Sequence, residues 1–321
     1  MNRMTTLMAC LGIACCSPAW AQDYPAKPVR LVVTASPGAT SDMLARTMAD
    51  QLGKSMNASF VVENRPGAGG NIAGDYVAKS PADGYTLLLA SVSSHAINPS
   101  LYKKMPYDSV KDFSPIIVLA SNPNALVVSP ASGIRSVAEL IQAAKAQPGK
   151  LSFSSGGNGT SQHLAGELFK SMTGVELMHV PYKGSPEALT AVARNDTTMM
   201  FPNIPNAMAL AKNGSVRMLA VTTKERLPWL PDVPTLHESG LPGFEAVAWF
   251  GLVAPAGTPD VVIQRLNAES RKILAMPEVQ KQLISQGFDI MGGSPDDFRT
   301  FLQSEIEKWG KVVRQSGAAV N

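Results

Sequence analysis

Cysteine is nearly absent from this 321-residue chain: its three copies, Cys10, Cys15 and Cys16, all sit near the start. Everything after Cys16 therefore lacks disulfides, thiolate nucleophiles and cysteine-based metal sites. Charge is also thin, at 17% Asp, Glu, Lys and Arg, with no block of one sign. The formal net charge is +3, from 28 basic and 25 acidic residues, and falls to +2 without Arg3. That is too little to argue for nucleic acid or a membrane surface as partner. The four histidines, His95, His163, His179 and His237, show no metal-ligand spacing, so no metal and no cofactor are expected.

Long apolar runs are missing too. Leu7–Trp20 is the nearest to one, but it is too short to span a bilayer and is broken by Ser17-Pro18. Met1–Thr6 carries one Arg and no acid, and Ala19-Trp20-Ala21 has the small-x-small form of a cleavage site. Residues 1–21 are therefore predicted to be a secretory signal peptide rather than an anchor helix, which places the mature chain, from Gln22, in the periplasm. Lipid attachment at Cys15 or Cys16 has only the weak setting Gly12-Ile13-Ala14.

What remains is an ordinary globular composition, 45% apolar, long enough for two domains. Strand-like runs alternate with amphipathic helices. Val29–Thr34 is followed by a helix bearing Met43, Leu44, Met48 and Leu52, then by strands at Phe60–Val62 and Tyr85–Ala90. A second series starts near Ala125, with strands at Ala125–Ser129, Leu151–Ser154, Glu176–Val180, Thr198–Phe201 and Val216–Val221. Thr223–Gly243 reads as a Pro-rich surface connection, and Ala248–Val253 as a strand returning to the first unit. Three helices close the chain, at Pro259–Ala275, Pro277–Ser285 and Pro295–Ser316, each opening on proline. The rhythm predicts an α/β fold with largely parallel sheets and two lobes. One lobe is discontinuous, 22–124 plus 249–321; the other, 125–248, is inserted. Two strand crossings would form a hinge, with a ligand cleft between the lobes.

The functional signal lies in three loops of small residues. Ser154-Ser155-Gly156-Gly157-Asn158-Gly159-Thr160-Ser161 joins a strand to a helix with no acid, base or bulky side chain. Ser36-Pro37-Gly38-Ala39-Thr40-Ser41-Asp42 and the Val180–Pro186 stretch, with Tyr182, Lys183 and Gly184, are built alike. Such loops offer backbone N–H groups, hydroxyls and the positive end of a helix, which suits holding an anion. They are poorly equipped for catalysis. His163 follows Ser161 by two residues, but there is no Gly-x-Ser-x-Gly elbow and no Asp in triad order, so an exported hydrolase is the weaker reading. Gly67-Ala68-Gly69-Gly70-Asn71 lacks the third glycine of a dinucleotide loop and reads as a tight turn. Ser41 and Asp42 can also be read as a helix N-cap. A bulky residue at Gly157 is expected to abolish binding without unfolding the chain.

The ordered segments YPAKPVRLVV, PGATSD, VVENRPGAGGNIAGDYVAKSPADGYTLL, KDFSPI, SSGGNGTSQHLAGELF, HVPYKGSPEAL and GLPGFEAVAWFGLVAPAGTP resemble the solute receptors of tripartite tricarboxylate transporters, the Bug receptors, across nearly all of residues 22–321. The resemblance implies a two-lobed periplasmic-binding-protein fold (type II) and reversible capture of a small organic carboxylate, without chemistry. It implies a membrane permease as partner; a sensor kinase is the alternative reading, and a receptor that must open and close is most simply a monomer. It also places the ligand between Ser36–Asp42 and Ser154–Ser161, with His95, Tyr182, Lys183, Gly184 and Asn203 on the walls. Two departures stand out. Ala39 replaces a usual glycine, tolerable only if its φ is negative, and Pro202 replaces a frequent Asp, which counts against an amino-acid ligand.

Overall fold

A computed structural model describes residues 24–316. The expected signal peptide, residues 1–21, lies outside the described residues. Eleven strands form two sheets, with helices on their faces.

The first half of the chain runs β1 (Val29–Val33), α1 (Thr40–Met56), β2 (Phe60–Asn64), α2 (Asn71–Ala78), β3 (Thr86–Ser91), a π-helical turn at Ser93–Ile97, α3 (Asn98–Leu101) and β4 (Phe113–Pro123). After one residue, Asn124, the chain enters the second unit: β5 (Ala125–Val128), α4 (Val137–Ala146), β6 (Ser152–Ser155), α5 (Ser161–Thr173), β7 (Met178–Pro181), α6 (Ser185–Ala193), β8 (Met199–Met200), α7 (Ile204–Lys212) and β9 (Arg217–Val221). It returns through β10 (Val247–Pro255), α8 (Asp260–Leu274), α9 (Pro277–Ser285), β11 (Asp289–Gly292) and α10 (Pro295–Ser316).

Strand order is β11-β4-β10-β3-β1-β2 in the first sheet and β7-β6-β8-β5-β9 in the second. The expectation of largely parallel sheets holds only for the βαβ portions. β1 pairs in parallel with β2 and β3, and β6 with β7 and β8. β10, β4 and β11 pair antiparallel, as does β5 with both neighbours. The reason is the crossings: a strand that leaves one sheet for the other has no helical crossover to bring it back in parallel.

Alternation along β5 decides how the core divides. Leu126 and Val128 join a large apolar cluster continuous with the first sheet, whereas Ala125 and Val127 face a smaller one with Leu189, Val192 and Met200. The units thus share one core and also contact through α10, which packs on α5 and β4. At the crossings, Thr222 N–H donates to the Asn124 carbonyl (2.9 Å) and Asn124 N–H to Thr222 Oγ1 (3.0 Å). The connection 223–243 is not merely a surface strap. Leu236 is fully buried, and its N–H donates to the Val221 carbonyl. Its prolines had suggested exposure, but its leucines close the edge of β9.

Candidate functional site: a cleft ringed by helix N-termini

A cleft of about 570 Å³ opens between the two units. The first contributes residues 34–41, 66–70 and 91–93, with Tyr102, Ala248 and Phe250; the second contributes 156–158, 160–162, 183–186, Asn203 and Asn206. The volume is in the range of small-molecule sites.

Five helices start on this wall. The N-caps of α1 (Ala39), α2 (Gly70), α5 (Thr160), α6 (Gly184) and α7 (Asn203) all line it. Only Thr160 uses its side chain as a cap, accepting from His163 N–H; the other four have no side-chain cap. Each N-terminus carries roughly half a positive charge, and in all but α5 its first N–H groups are free of a side-chain N-cap. Among the described residues Lys183 is the one charged side chain on the wall, and no carboxylate lines it. The cleft is therefore positive through its backbone more than its side chains.

The loop after β1 is set from behind by an acid. Asp42 is 2% exposed; its Oδ2 accepts from Gly38 N–H (2.8 Å) and Arg46 Nε (2.9 Å), and its Oδ1 from Asn64 Nδ2 (2.9 Å). Burial pushes this carboxyl's pKa up, but the hydrogen bonds from Arg46, Gly38 and Asn64 and the Arg46 charge outweigh it and hold it below the usual range. Helix α1 begins at Thr40 without a side-chain cap, so Asp42 is not the N-cap. Nor is it on the wall: it holds the loop instead. Gly38 takes the left-handed conformation (φ +80°), while Ala39 is extended (φ −70°), which is why the extra Cβ fits.

The loop after β6 is held by amides and rings. Gln162 Oε1 accepts from Gly156 N–H (2.7 Å), while its Nε2 donates to Ser185 Oγ (2.9 Å), tying two loops of the wall together. Gly157 has φ +125° and Gly159 φ +78°. A side chain at Gly157 would meet only ordinary contact, yet it would be strained by that φ. The expected Gly157→Val effect therefore includes loop distortion as well as blocking.

Of the residues the sequence placed on the walls, Ser36–Ser41, Gly156–Asn158, Thr160, Ser161, Lys183, Gly184 and Asn203 line the cleft. Asp42, His95, Ser154, Ser155, Gly159 and Tyr182 do not. His95 is fully buried against Tyr107 and Phe113, and burial pushes its pKa down to about 3. Ser154 is buried and turned toward α6, where its hydroxyl donates to the Ala188 carbonyl. Ser155 points at His179, and Gly159 packs on Asn98 and Leu101. Tyr182 lies at a shallow depression on α6, because side chains alternate in direction along the end of β7.

Gly67–Gly70 reads as a plain turn in sequence but lines the cleft; Gln162, Tyr102 and Asn206 were also missed. A glycine at an N-cap could have flagged Gly70. Trp249 is buried instead, its indole N–H donating to Glu305 of α10. Among the described residues no group of three or more acidic or histidine side chains is placed to hold a metal.

Two lobes, a cleft between them and an anion-friendly wall without a catalytic constellation define a solute-binding receptor. Residues 44–318 match the tripartite tricarboxylate transporter family receptor. The chain is 37% identical over 321 residues to BugT of Bordetella pertussis, covering 98% of each. An R. palustris protein solved with adipate superposes with a TM-score of 0.88 at 42% identity, over 92% of this chain and 99% of that one. MatC of Rhodopseudomonas palustris, solved with malate, gives 0.83 at 31% identity, over 90% and 100%. This chain belongs to the tripartite tricarboxylate transporter receptor family; its members are periplasmic receptors, not enzymes.

Proposed function

We propose that the receptor captures a small dicarboxylate in this cleft. One carboxylate would lie among the N-termini of α1, α5 and α6, contacted by residues 36–41, 156–158, 160 and 161. The other would reach Lys183, with Asn203, Asn206 and Tyr102 along the wall. The observation carrying this reading is the wall itself: five helix N-termini and one lysine, with no acid to repel an anion. The adipate and malate in two similar proteins support a two-ended ligand. Closure about the crossings at Asn124 and Thr222 would exclude water, and the closed form would be read by a membrane permease, with residues 1–21 removed on export. One chain carries the whole cleft, so a monomer suffices.

Calorimetric titration of refolded protein with adipate and with hexanoate tests this. Adipate is expected to bind the more tightly. Lys183→Gln should weaken adipate about five- to tenfold, the order of one charge-assisted hydrogen bond, and leave hexanoate unchanged. Equal loss for both acids would remove Lys183 from the second end. Binding of neither would overturn the ligand class.

A further inference from the structure

Two of the histidines that the receptor reading does not use touch each other. His163 opens α5 and His179 lies in β7, yet their rings stack at 4.1 Å between centroids and 17° between planes. Phe153 of β6 continues the pile, 4.8 Å from His179. The approach depends on Gly166, where a Cβ would come within 2.3 Å of the Phe153 ring. Only a glycine lets α5 lie close enough to β6 to bring His163 onto the stack.

Each ring turns one nitrogen toward the loop after β6. His163 Nδ1 accepts the Gly159 N–H (3.2 Å). An accepting Nδ1 places the ring's proton on Nε2, which faces Glu167 Oε1 at 3.8 Å. His179 Nε2 shares a hydrogen with Ser155 Oγ (2.7 Å), and that hydroxyl accepts the Gly157 N–H (3.2 Å). The two anchored amides, Gly157 and Gly159, are the loop's two left-handed residues. The loop's own hydroxyls act at Gly157, whose carbonyl accepts from Thr160 Oγ1 (2.8 Å) and Ser155 Oγ (3.1 Å), and the two rings brace it from outside. The other charged group near the pile is Lys170, which is committed to Glu167 at 2.9 Å and lies 6.0 Å from the Phe153 ring. Burial pushes both imidazoles down, His163 to about 3 and His179 to about 4, helped by Lys170 and, at His163, by His179, so both rings are neutral at ordinary pH.

We propose that His163 and His179 are positioning residues: a stacked pair of neutral rings that fixes, through Gly159 and Ser155–Gly157, the loop presenting its N–H groups to the ligand. This rests on the reading that residues 156–158, 160 and 161 contact the carboxylate. Neither ring reaches the cleft wall, so their effect on affinity is indirect.

The substitutions that separate acceptor from packing are His163→Phe, which keeps a stacking ring, and His163→Asn, whose amide oxygen can stand where Nδ1 stands. The readouts are amide hydrogen exchange at Gly159 and adipate affinity by titration, on variants whose thermal unfolding stays cooperative. His163→Phe should accelerate Gly159 exchange and weaken adipate, each about tenfold, the order of one lost hydrogen bond. His163→Asn should restore both to within about threefold. Unchanged exchange in His163→Phe, or equal damage from Asn and Phe, reduces His163 to packing and overturns the proposal. Faster exchange with unchanged affinity leaves the brace standing but removes the loop from the ligand, which overturns the site reading instead. If wild-type protein ignores adipate, the exchange result alone decides the brace. Should His163→Phe fail to fold, His179→Phe against His179→Gln, read at Gly157, applies the same logic from the other ring.

Discussion

The cleft's two main loops solve one problem in opposite ways. Both must hold a short backbone in a shape that leaves N–H groups facing a ligand, and both contain left-handed glycines. The loop at Ser36–Ser41 is held by a buried carboxylate, with Gly38, Arg46 and Asn64 as its donors. The loop at Gly156–Ser161 is held by neutral acceptors, His163, Ser155 and Gln162. The difference teaches where charge can be spared. Asp42 is neutralised on its own side by the exposed Arg46, so its charge is answered before it reaches the cleft. A carboxylate behind the second loop would have no such partner, since Glu167 already takes Lys170. Neutral rings hold that loop without a negative charge behind the site.

The largest test of this contrast is pH. His95, His163 and His179 titrate near 3 to 4 in the fold against an ordinary 6.5, so the unfolded chain takes up protons first. Stability from these groups is complete above pH 6.5 and is lost as pH falls from there toward 3. Between pH 7.5 and 5 the two most buried rings, His95 and His163, should cost on the order of 4 kcal/mol together, with His179 adding less. Urea unfolding across that range measures it, and a flat profile would break the claim that these rings are neutral. Asp42 has a depressed pKa, so its contribution is present above its unfolded value of 3.8 and fades only below that. The acid-held loop should therefore be indifferent to this window.

Next in size is Asp42→Ala. It leaves the Gly38 N–H without its partner and removes one of two acceptors each from Arg46 and Asn64, which keep Asn64 Oδ1 and the Ala35 carbonyl. A loss of about 2–3 kcal/mol in urea unfolding is expected, discounted because Arg46 is more than half exposed. Less than about 0.5 kcal/mol would mean that the rest of the β1–α1 turn holds itself.

Much of the fold was legible because its signals are local. The limits of α9 and α10 agree with the sequence reading to the residue, since proline at the first turn and an apolar stripe mark them. β4 was invisible although it is the longest strand: Pro115 and Pro123 interrupt it, and proline speaks against a central strand. β11 is four residues ending in glycine. At the site, loop chemistry named the N-terminal ends of α1, α5 and α6, and the resemblance added Asn203 at that of α7, but that of α2 was not named. Gly67–Gly70 uses the same small residues as any tight turn, and only the topology brings it to the cleft. The histidines were misjudged for the same reason. His95 looked available and is enclosed, while His163 and His179, sixteen positions apart in sequence, meet only because β6 and β7 pair beneath α5.

The smallest stability effect, and the one that most sharpens the contrast, belongs to Gln162. Its amide bridges Gly156 N–H and Ser185 Oγ at the cleft wall, where water can replace either hydrogen bond once the cleft is open. Gln162→Leu should therefore cost only about 1 kcal/mol in unfolding, below the Asp42 figure. Its effect on adipate affinity should be larger than that, because Gly156 and Ser185 belong to two loops that must close on one ligand, and the bound state cannot admit the replacing waters without losing contacts. Titration and urea unfolding of the same variant give the two numbers. A stability loss equal to or greater than the affinity loss would mean that Gln162 stitches the second unit together as structure. The division between a charged brace that stabilises and neutral braces that position would then fail at its neutral end.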